Sequence, residues 1–408
     1  MTADTVDRSA LMHTYAEPPV TFVRGHGSRL FDSEGREYLD FLSGLAVTSL
    51  GHAHPLVADA VAEQARTLSH VSNLFGNVVG PEVAATLDRL IGGGTERAGG
   101  QVFFTNSGAE ANECALKLAR RWAGPDRFAV VSTWDAFHGR TLATLTATGQ
   151  PDKQRPFLPL PEGFDHVPYD DLDAMDAACD ATRVAAVLVE PIMGEAGVVV
   201  PSSDYLVGLR QLCSDRNILL MVDEVQTGLG RTGRWFGFQH LGIEPDVVTV
   251  AKALGNGMPV GACWARAEVA AAFVPGDHGS TFGGQPLAMS AARATLAVME
   301  AEDVPARARA SGARLRAGLE RIPGVVSVRG EGLLLAAVLD GDLAGPACRE
   351  ALASGLVVNA PRPDVLRFAP SLLVSEDEVD EALATVGRIL AGMATGSGAG
   401  GPGGRGGG

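Results

Sequence analysis

The chain has 408 residues, 46% of them hydrophobic, which is enough for a large core divided between two or three structural units. Acidic side chains outnumber basic ones by 48 to 33, and the net charge of −15 disfavours nonspecific binding to nucleic acid or to an anionic membrane. The five cysteines are scattered without CxxC spacing, so neither a zinc site nor a disulfide framework is indicated. No basic and apolar leader and no membrane-length run is present, which predicts a cytoplasmic protein.

The first predicted element is a small antiparallel hairpin. Short apolar pieces alternate with turn residues over residues 29–42, and the turn is predicted at residues 33–35. A helical pattern begins after Pro55. We assign residues 1–50 to an N-terminal segment that contributes to a smaller domain, and residues 51–300 to a large domain.

Five continuous apolar runs follow and alternate with helical stretches. They cover residues 102–105, 127–132, 184–190, 218–223 and 247–251. Continuous runs are typical of strands buried on both faces, and their alternation with helices predicts a mainly parallel sheet covered by helices. The fold class is therefore predicted to be α/β. Ligands of such sheets bind at the carboxyl ends of the strands.

The first of these runs leads through Ser107, Gly108 and Ala109 directly into a helical stretch. Backbone N–H groups at a helix start, with the helix dipole behind them, can bind a phosphate without a lysine. An ordinary N-cap with Glu110 in the first turn is the alternative interpretation of the same residues.

Two later runs end in ionisable side chains. Asp223 ends one run and is followed by Glu224, Val225 and Gln226, and Lys252 follows the next run. A lysine at the end of a buried strand is partly desolvated, which lowers its pKa and frees its lone pair to attack a carbonyl carbon. Pyridoxal phosphate needs an amine for its aldehyde and a carboxylate for its pyridinium nitrogen. The pair therefore predicts pyridoxal 5′-phosphate as the cofactor.

Residues 228–233 fit the GxGxxG pattern of dinucleotide-binding loops. However, residues 223–227 separate these glycines from the preceding run, and no clear crossover helix follows them. A nicotinamide-dependent oxidoreductase is therefore the alternative from another class. An absorbance change on adding pyridoxal phosphate would separate the two.

The pattern changes from residue 304 onwards. A long helical segment is followed by short strands at residues 325–328, 333–339 and 365–368 and by a final helix from residue 376 to about residue 390. We predict a smaller α+β domain over residues 301–392. Residues 393–408 are rich in glycine and cannot bury enough surface to order themselves, so a disordered tail is expected there.

Residues 220–233, Lys252 and residues 279–286 together resemble class III aminotransferases of fold type I. More narrowly, they resemble the acetylornithine aminotransferases of bacterial arginine synthesis. The resemblance extends from about residue 23 to about residue 390 in five motif blocks. It implies an enzyme that uses pyridoxal 5′-phosphate to move an amino group from N2-acetylornithine to 2-oxoglutarate.

The resemblance implies a set of residues around the cofactor. Lys252 and Asp223 would be catalytic, because Lys252 holds the cofactor and shuttles the substrate proton while Asp223 keeps the pyridine nitrogen protonated. Gln226 would hydrogen-bond the ring hydroxyl, and Phe137 would stack on the ring. The residues implied to contact the cofactor are Ser107, Gly108, Ala109, Phe137, Asp223, Glu224, Val225, Gln226, Lys252 and Thr281.

A second implied set binds the substrates. Arg140 would hold a carboxylate through two parallel hydrogen bonds, and His138 beside it is expected to be a structural neighbour only. Glu195 and Arg367 would form a removable ion pair, in which the arginine is neutralised for one substrate and freed for the second carboxylate of glutamate. A surface ion pair contributing about 0–1 kcal/mol is the alternative.

The resemblance further implies a homodimer with shared active sites. Ser280 would reach the substrate, and Thr281 the cofactor phosphate, in the neighbouring subunit. The implied substrate-binding residues are Arg140, Glu195, Ser280 and Arg367.

The choice of amino donor stays open at the level of sequence. Leu45 and His138 stand where ornithine aminotransferases usually carry tyrosine and tryptophan, which favours the acetylated substrate. Thr48 stands where acetylornithine enzymes commonly have asparagine, and residues 72–77 lack their usual paired tyrosines. Other ω-aminotransferases, acting on ornithine, succinyl-diaminopimelate, 4-aminobutyrate or an amine of a specialised pathway, are alternatives, as are an aminomutase and an inactive binding protein.

Overall fold

The computed structural model describes residues 10–94 and 98–397. Its strands form one central sheet and two smaller sheets. The strands, in chain order, are β1 (Phe22–His26), β2 (Arg29–Asp32), β3 (Glu37–Asp40), β4 (Gly100–Thr105), β5 (Ala129–Thr133), β6 (Phe164–Val167), β7 (Val184–Val189), β8 (Leu219–Asp223), β9 (Val247–Val250), β10 (Gly261–Arg266), β11 (Val325–Glu331), β12 (Leu334–Leu339), β13 (Leu356–Val357), β14 (Asn359–Arg362) and β15 (Val365–Phe368).

Helices connect these strands, as the alternating pattern predicts. They are α1 (Ser43–Ala46), α2 (Pro55–Thr67), α3 (Val79–Ile91), α4 (Gly108–Ala123), α5 (Leu142–Ala147), α6 (Pro151–Gln154), α7 (Leu172–Ala178), α8 (Tyr205–Asp215), α9 (Ala267–Ala270), α10 (Pro286–Ala301), α11 (Val304–Leu319), α12 (Ala344–Ala353) and α13 (Glu376–Ser397). Short 3-10 turns occur at Arg155–Phe157, Gly237–His240 and Lys252–Gly255. Within the described ranges, no helix combines the length and apolar character needed to cross a membrane.

The central sheet has seven strands in the order β4-β10-β9-β8-β7-β5-β6. All neighbouring pairs from β9 to β6 are parallel, whereas β10 is antiparallel to both β4 and β9. The prediction of an α/β fold with a mainly parallel sheet is therefore confirmed. The strands β6 and β10 were not predicted from the sequence.

Strand β8 shows why the central runs carry apolar residues on both faces. Leu219 and Met221 pack into one buried cluster with α4, while Leu220 and Val222 face a second cluster that includes residues of α8. Each face of the strand thus meets a helix layer, and burial of a Leu or Val side chain contributes roughly 1.5–3 kcal/mol. Burial on both faces fixes the position of the strand end, where Asp223 lies.

One of the two smaller sheets joins the N-terminal and C-terminal regions of the chain. The predicted hairpin is confirmed as the antiparallel pair β2–β3, and β3 pairs in parallel with β13 from the C-terminal region. The assignment of residues 1–50 to the smaller domain stays a prediction. The other sheet has the order β11-β12-β15-β14 and is antiparallel. The last helix extends to Ser397, beyond the predicted boundary at residue 392, and residues 398–408 of the predicted tail lie outside the described residues.

A buried arginine of the large unit hydrogen-bonds to residues of the N-terminal segment and of the C-terminal region. Arg231 is 1% exposed and donates to the carbonyls of Leu333 (3.1 Å) and Pro370 (2.6 Å) and to Ser49 Oγ (3.0 Å). Burial lowers the pKa of its guanidinium to about 9. Carbonyl dipoles, rather than a carboxylate, thus stabilise this charge at the junction.

Candidate active site

A cavity of about 390 Å³ opens at the carboxyl ends of the central strands. Its walls come from the segments that follow β4, β5, β7, β8 and β9, together with residues 257–260 and Val47. The turn α1, which precedes Val47, has positive φ at all four residues, and Asp40 Oδ1 supports it by accepting the N–H groups of Leu42 and Ser43. The predicted site residues that line the cavity are Ser107, Gly108, Ala109, Phe137, Arg140, Glu195, Asp223, Val225, Gln226 and Lys252.

Lys252 occupies a strained position on the cavity wall. Its φ of 43° lies in the left-handed region, which costs a non-glycine residue on the order of 1 kcal/mol and is concentrated at functional sites. Burial lowers the pKa of its amine, as predicted for a lysine at this strand end. The chain has only two other lysines, Lys117 and Lys153. Lys117 Nζ donates to Asp277 O (2.9 Å), and Lys153 lies over the Phe137 ring.

Asp223 is held by partners that the sequence did not reveal. Asn112 Nδ2 donates to Asp223 Oδ2 (2.7 Å), His138 Nδ1 lies 2.9 Å from the same oxygen, and the Val225 N–H donates to Oδ1 (3.0 Å). His138 Nε2 is also 3.2 Å from Ser132 Oγ. His138 is therefore a direct partner of the predicted catalytic carboxylate, and not merely a structural neighbour. These bonds fix the orientation of the carboxylate in the cavity.

The start of α4 combines the two interpretations given for it. Ser107 is the N-cap, and its Oγ accepts the N–H of Glu110 (3.2 Å), so the capping interpretation is confirmed. Gly108 and Ala109 also line the cavity at the positive end of the helix. A Cβ at Gly108 would lie 2.9 Å from Val225 Cγ1, so only glycine allows these segments to pack so closely. The acidic side chain of the first turn, Glu110, accepts the Asn106 N–H (2.9 Å) and the Asn106 Nδ2 amide (2.8 Å).

Glu195 and Arg367 form the ion pair that the sequence suggested. Arg367 Nη1 lies 2.7 Å from Glu195 Oε1, and the side chains are 1% and 29% exposed respectively, so this is not a solvated surface pair. Arg367 also donates to Asn359 Oδ1 (3.0 Å) through Nε and to Gly194 O (3.0 Å) through Nη1. Burial acts to raise the pKa of Glu195, but the charge and hydrogen bond of Arg367 outweigh it and lower that pKa. Arg367 Nη2 is buried and has no partner among the described residues.

Glu190 is a buried acid in the cavity wall that sequence reasoning did not single out. Its carboxylate accepts the N–H groups of Phe137 (3.0 Å) and Gly194 (3.2 Å), and so joins the two segments that carry Arg140 and Glu195. Burial raises its pKa to about 7, and the nearby Asp223 charge acts in the same direction. Its position at the end of a predicted strand was the available signal, because Asp223 was recognised on the same ground.

We expect Glu190→Gln to change how stability depends on pH. The raised pKa means that the contribution of Glu190 to stability is fully present below pH 4.5 and is lost as pH rises through about 7. Glutamine does not titrate, so the unfolding free energy of the variant relative to the unmodified protein should rise by about 3 kcal/mol between pH 4.5 and 8. Urea denaturation across this range measures the difference. A constant difference for Glu190→Gln would refute the burial argument.

Four predicted site residues do not line this cavity: Arg367, whose partner Glu195 does, and Glu224, Ser280 and Thr281. The Glu224 carboxylate faces away, accepting from Thr227 Oγ1 and from the Phe238 N–H, and burial raises its pKa to about 7. Ser280 and Thr281 instead line a separate cavity of about 350 Å³ beside α4. Their predicted role in a neighbouring subunit's site stays a prediction. Leu45, which was used to predict the substrate, also lies outside the main cavity, whereas Val47 lines it.

The residues around the main cavity fit pyridoxal 5′-phosphate. The cavity offers a partly buried amine, an oriented carboxylate, a helix start for a phosphate and a cationic side chain in Arg140, whose Cζ lies 5.6 Å from the centroid of the Phe137 ring. An amine and a carboxylate on neighbouring parallel strands, with an anion site on a third, are the protein groups that this cofactor requires. Fold and site together define a pyridoxal-phosphate-dependent enzyme of fold type I.

Comparison with known proteins identifies the family. The sequence model described as Aminotransferase class-III matches residues 11–390, and the chain belongs to this family. An acetylornithine aminotransferase of Gloeobacter violaceus is 52% identical over 401 residues, covering 96% of this chain and 98% of the relative. The acetylornithine aminotransferase of Streptomyces coelicolor is 47% identical over 386 residues, covering 94% of each chain.

Solved structures agree with this assignment. The ornithine aminotransferase from Toxoplasma gondii superposes with a TM-score of 0.90 at 36% identity, covering 96% of this chain and 94% of that one. The N-acetylornithine aminotransferase from Stenotrophomonas maltophilia superposes with a TM-score of 0.80, also at 36% identity, covering 93% of this chain and 98% of that one. This chain is therefore a pyridoxal-phosphate-dependent aminotransferase.

Proposed function

We propose that this aminotransferase moves an amino group from N2-acetylornithine to 2-oxoglutarate in arginine biosynthesis, giving the acetylated glutamate semialdehyde and glutamate. The observation that carries the use of two different substrates at one site is the buried Glu195–Arg367 pair beside the cavity. The acetylornithine aminotransferases that are 44–52% identical over most of the chain support the choice of donor.

The cofactor roles proposed for the cavity residues follow from their chemistry. Ser107, Gly108 and Ala109 would hold the phosphate at the start of α4, and Phe137 would stack on the ring. Val225 would pack against the ring from its position beside Gly108, and Gln226 would hydrogen-bond the ring hydroxyl. When bound, the cofactor supplies an electron sink for the charge left when a substrate C–H bond breaks.

Lys252 and Asp223 are the proposed catalytic residues. Lys252 Nζ would hold the cofactor and then accept the proton from the substrate carbon, because its lowered pKa leaves more of the amine neutral. The Asp223 carboxylate, oriented by Asn112 and His138, would keep the pyridine nitrogen protonated. Glu224 is left out of this proposal, because its carboxylate faces a different buried network.

Glu195 is proposed to act as a gate for Arg367. While the pair is closed, the guanidinium is neutralised and the cavity accepts an uncharged acylated chain, with Arg140 holding the substrate carboxylate. When Glu195 turns away, Nη1 is released from its carboxylate and Nη2 has no competing partner among the described residues. The Arg367 guanidinium can then bind the second carboxylate of glutamate through two hydrogen bonds.

We expect Glu195→Ala to alter one half-reaction selectively. Without the carboxylate, Arg367 stays open, so the glutamate half-reaction should be favoured and the acetylornithine half-reaction slowed. The ratio of the two single-turnover rates should shift by roughly ten- to a hundredfold, equivalent to about 1–3 kcal/mol of discrimination.

Glu300→Ala is the matched control, because Glu300 pairs with Arg89 at the same distance of 2.7 Å but on the surface. It should leave the ratio unchanged. An equal fall in both half-reactions of Glu195→Ala, or a lower melting temperature with no kinetic change, would mean that the pair is merely structural.

A panel of amino donors tests the proposed reaction. Acetylornithine, ornithine, succinyl-diaminopimelate and 4-aminobutyrate are each assayed with 2-oxoglutarate, and the highest kcat/KM should belong to acetylornithine. Ornithine is the second candidate, because the ornithine aminotransferase from Toxoplasma gondii has the TM-score of 0.90 given above. A preference for any other donor, or conversion to an isomeric amine without 2-oxoglutarate, would refute the proposed substrate pair.

The enzyme is further proposed to be a cytoplasmic homodimer. Leu74, Phe75 and Val78 are 71–85% exposed, and Phe282 is 64% exposed. Asn73 Nδ2 joins these segments by donating to Ser280 O (2.9 Å). An apolar surface of this kind is typical of an interface with a second chain, and it adjoins the segment proposed to complete the neighbouring site. Sedimentation equilibrium tests the assembly.

A further inference from the structure

The loop that carries Glu195 is held by three arginines of the small C-terminal sheet. We define the gate loop as residues 194–197. Arg367 Nη1 on β15 donates to Gly194 O (3.0 Å), Arg362 Nε on β14 donates to Ala196 O (3.2 Å) and Arg329 Nε on β11 donates to Gly197 O (2.8 Å). Arg367 also holds the Glu195 side chain. Within the gate loop, and among the described residues, Arg329 and Arg362 by contrast donate only to backbone carbonyls on the far side of Glu195.

The gate loop is also fixed from within the large unit. Glu190 accepts the Gly194 N–H (3.2 Å), and Met193 and Val199 exchange backbone hydrogen bonds of 3.0 Å in both directions. Gly197 has a φ of 100°, a conformation that favours glycine, and a Cβ there would lie 2.9 Å from Arg329 Nη2. The backbone of the loop is therefore held at both ends, while Arg367 is the one hydrogen-bond partner of the Glu195 side chain among the described residues.

Arg362 connects the gate loop to a further wall of the cavity. Its Nη2 donates to Asp135 Oδ1 (2.6 Å), and Asp135 lies in the segment that leads to Phe137 and Arg140. Asp135 has a φ of 65°, a conformation that is held by its surroundings. The Arg362 side chain thus joins the small sheet, the gate loop and the segment that carries Arg140.

A gate of this kind works only if the side chain moves while the backbone stays. A fixed backbone returns the Glu195 carboxylate to the Arg367 guanidinium each time the gate closes, whereas a loose loop would let the carboxylate leave it. We propose that Arg329 and Arg362 are positioning residues of the substrate gate, which hold the loop backbone so that opening breaks only the Glu195–Arg367 contact. This inference rests on the proposed two-substrate function.

The test compares Arg362→Gln and Arg329→Gln with a matched control in the holoenzyme. Arg216 is the control, because it likewise combines an aspartate, Asp176 Oδ1 (2.5 Å), with a backbone carbonyl, Cys179 O (2.8 Å), far from the cavity. Its side chain is 30% exposed, against 41% for Arg362. Single-turnover rates are measured for the amino donor and for glutamate.

We expect each gate-loop variant to slow the donor half-reaction relative to the glutamate half-reaction by about three- to tenfold, since a loosened loop keeps Glu195 less often on Arg367. Arg216→Gln should leave this ratio unchanged, and the absorbance of bound cofactor should be the same in every variant. Asp135→Asn keeps the Arg362–Ala196 contact and should shift the ratio less than Arg362→Gln does.

The inference is overturned if both gate-loop variants match Arg216→Gln, if they slow the two half-reactions equally, or if Asp135→Asn reproduces the full effect of Arg362→Gln. If Arg362→Gln does not fold, Arg329→Gln and Asp135→Asn still decide the matter. Failure of the proposed donor is recognised separately: the ratio is then measured with whichever donor the unmodified enzyme prefers, and it tests the gate loop in the same way.

Discussion

Turnover should fall by about 10⁴-fold when Lys252 is replaced by alanine, while the cofactor still binds without a covalent link. General acid–base catalysis contributes roughly 10²–10⁴-fold, and this variant also loses the nucleophilic amine. The phosphate and ring contacts proposed for the start of α4, Phe137 and Asp223 remain. Borohydride treatment followed by peptide mass mapping should place the cofactor on the peptide of Lys252 in the unmodified enzyme and on no peptide of the variant.

Because the sequence has only three lysines, few other amines could be fixed to the cofactor by borohydride. Lys117→Ala is the control, because Lys117 is exposed and donates to Asp277 O, away from the cavity. That variant should keep both turnover and borohydride fixation. Fixation of cofactor to the Lys252→Ala protein would show that another amine serves the site.

Replacing Asp223 with alanine should weaken cofactor binding and slow proton abstraction by about 10²–10³-fold at saturating cofactor. The proposed carboxylate keeps positive charge on the pyridine nitrogen, and preorganised electrostatic groups of this kind contribute effects of that size. The loss also leaves the Asn112 donor, and the His138 ring beside it, without their buried acceptor. Titration of the cofactor and single-turnover kinetics measure the two effects.

Asp246→Ala controls for loss of a buried aspartate, because Asp246 accepts the Leu220 N–H (2.8 Å) at the opposite end of the same strand. It should lower stability without changing cofactor affinity. Near-normal turnover of Asp223→Ala with cofactor saturating would remove Asp223 from the mechanism.

The fold was predictable where local pattern and tertiary structure agree. The strands β5, β7, β8 and β9 are buried on both faces, so their sequences are mainly apolar and stand out from the helices between them. The edge strand β6 contains Asp165 and His166, and β10 contains glycine, alanine and cysteine in place of long aliphatic residues. Neither pattern resembles a buried parallel strand, and on one side β10 pairs with the distant strand β4, Gly261 with Thr105.

The site residues at strand ends were predictable, and the contacts between distant segments were not. Lys252 and Asp223 could be found because strand ends are visible in sequence, and parallel strands bring their ends to one edge. Asn112 contacts Asp223 across 111 residues, and Arg362 contacts Asp135 across 227. Such contacts depend on how helices and the small sheet pack on the central one, which no local spacing encodes. The same is true of the Glu190 carboxylate, whose two N–H partners lie on different segments.

The three lysines also suit the enzyme to nuclear magnetic resonance. Protein grown on lysine labelled with carbon-13 at the ε position carries only three labelled side chains in the whole sequence. Their surroundings differ: Lys117 is exposed, Lys153 lies 5.5 Å from the centre of the Phe137 ring and Lys252 faces the cavity. Ring currents and charge therefore disperse the three resonances, and titrating them reports the protonation of the Lys252 amine in the intact protein.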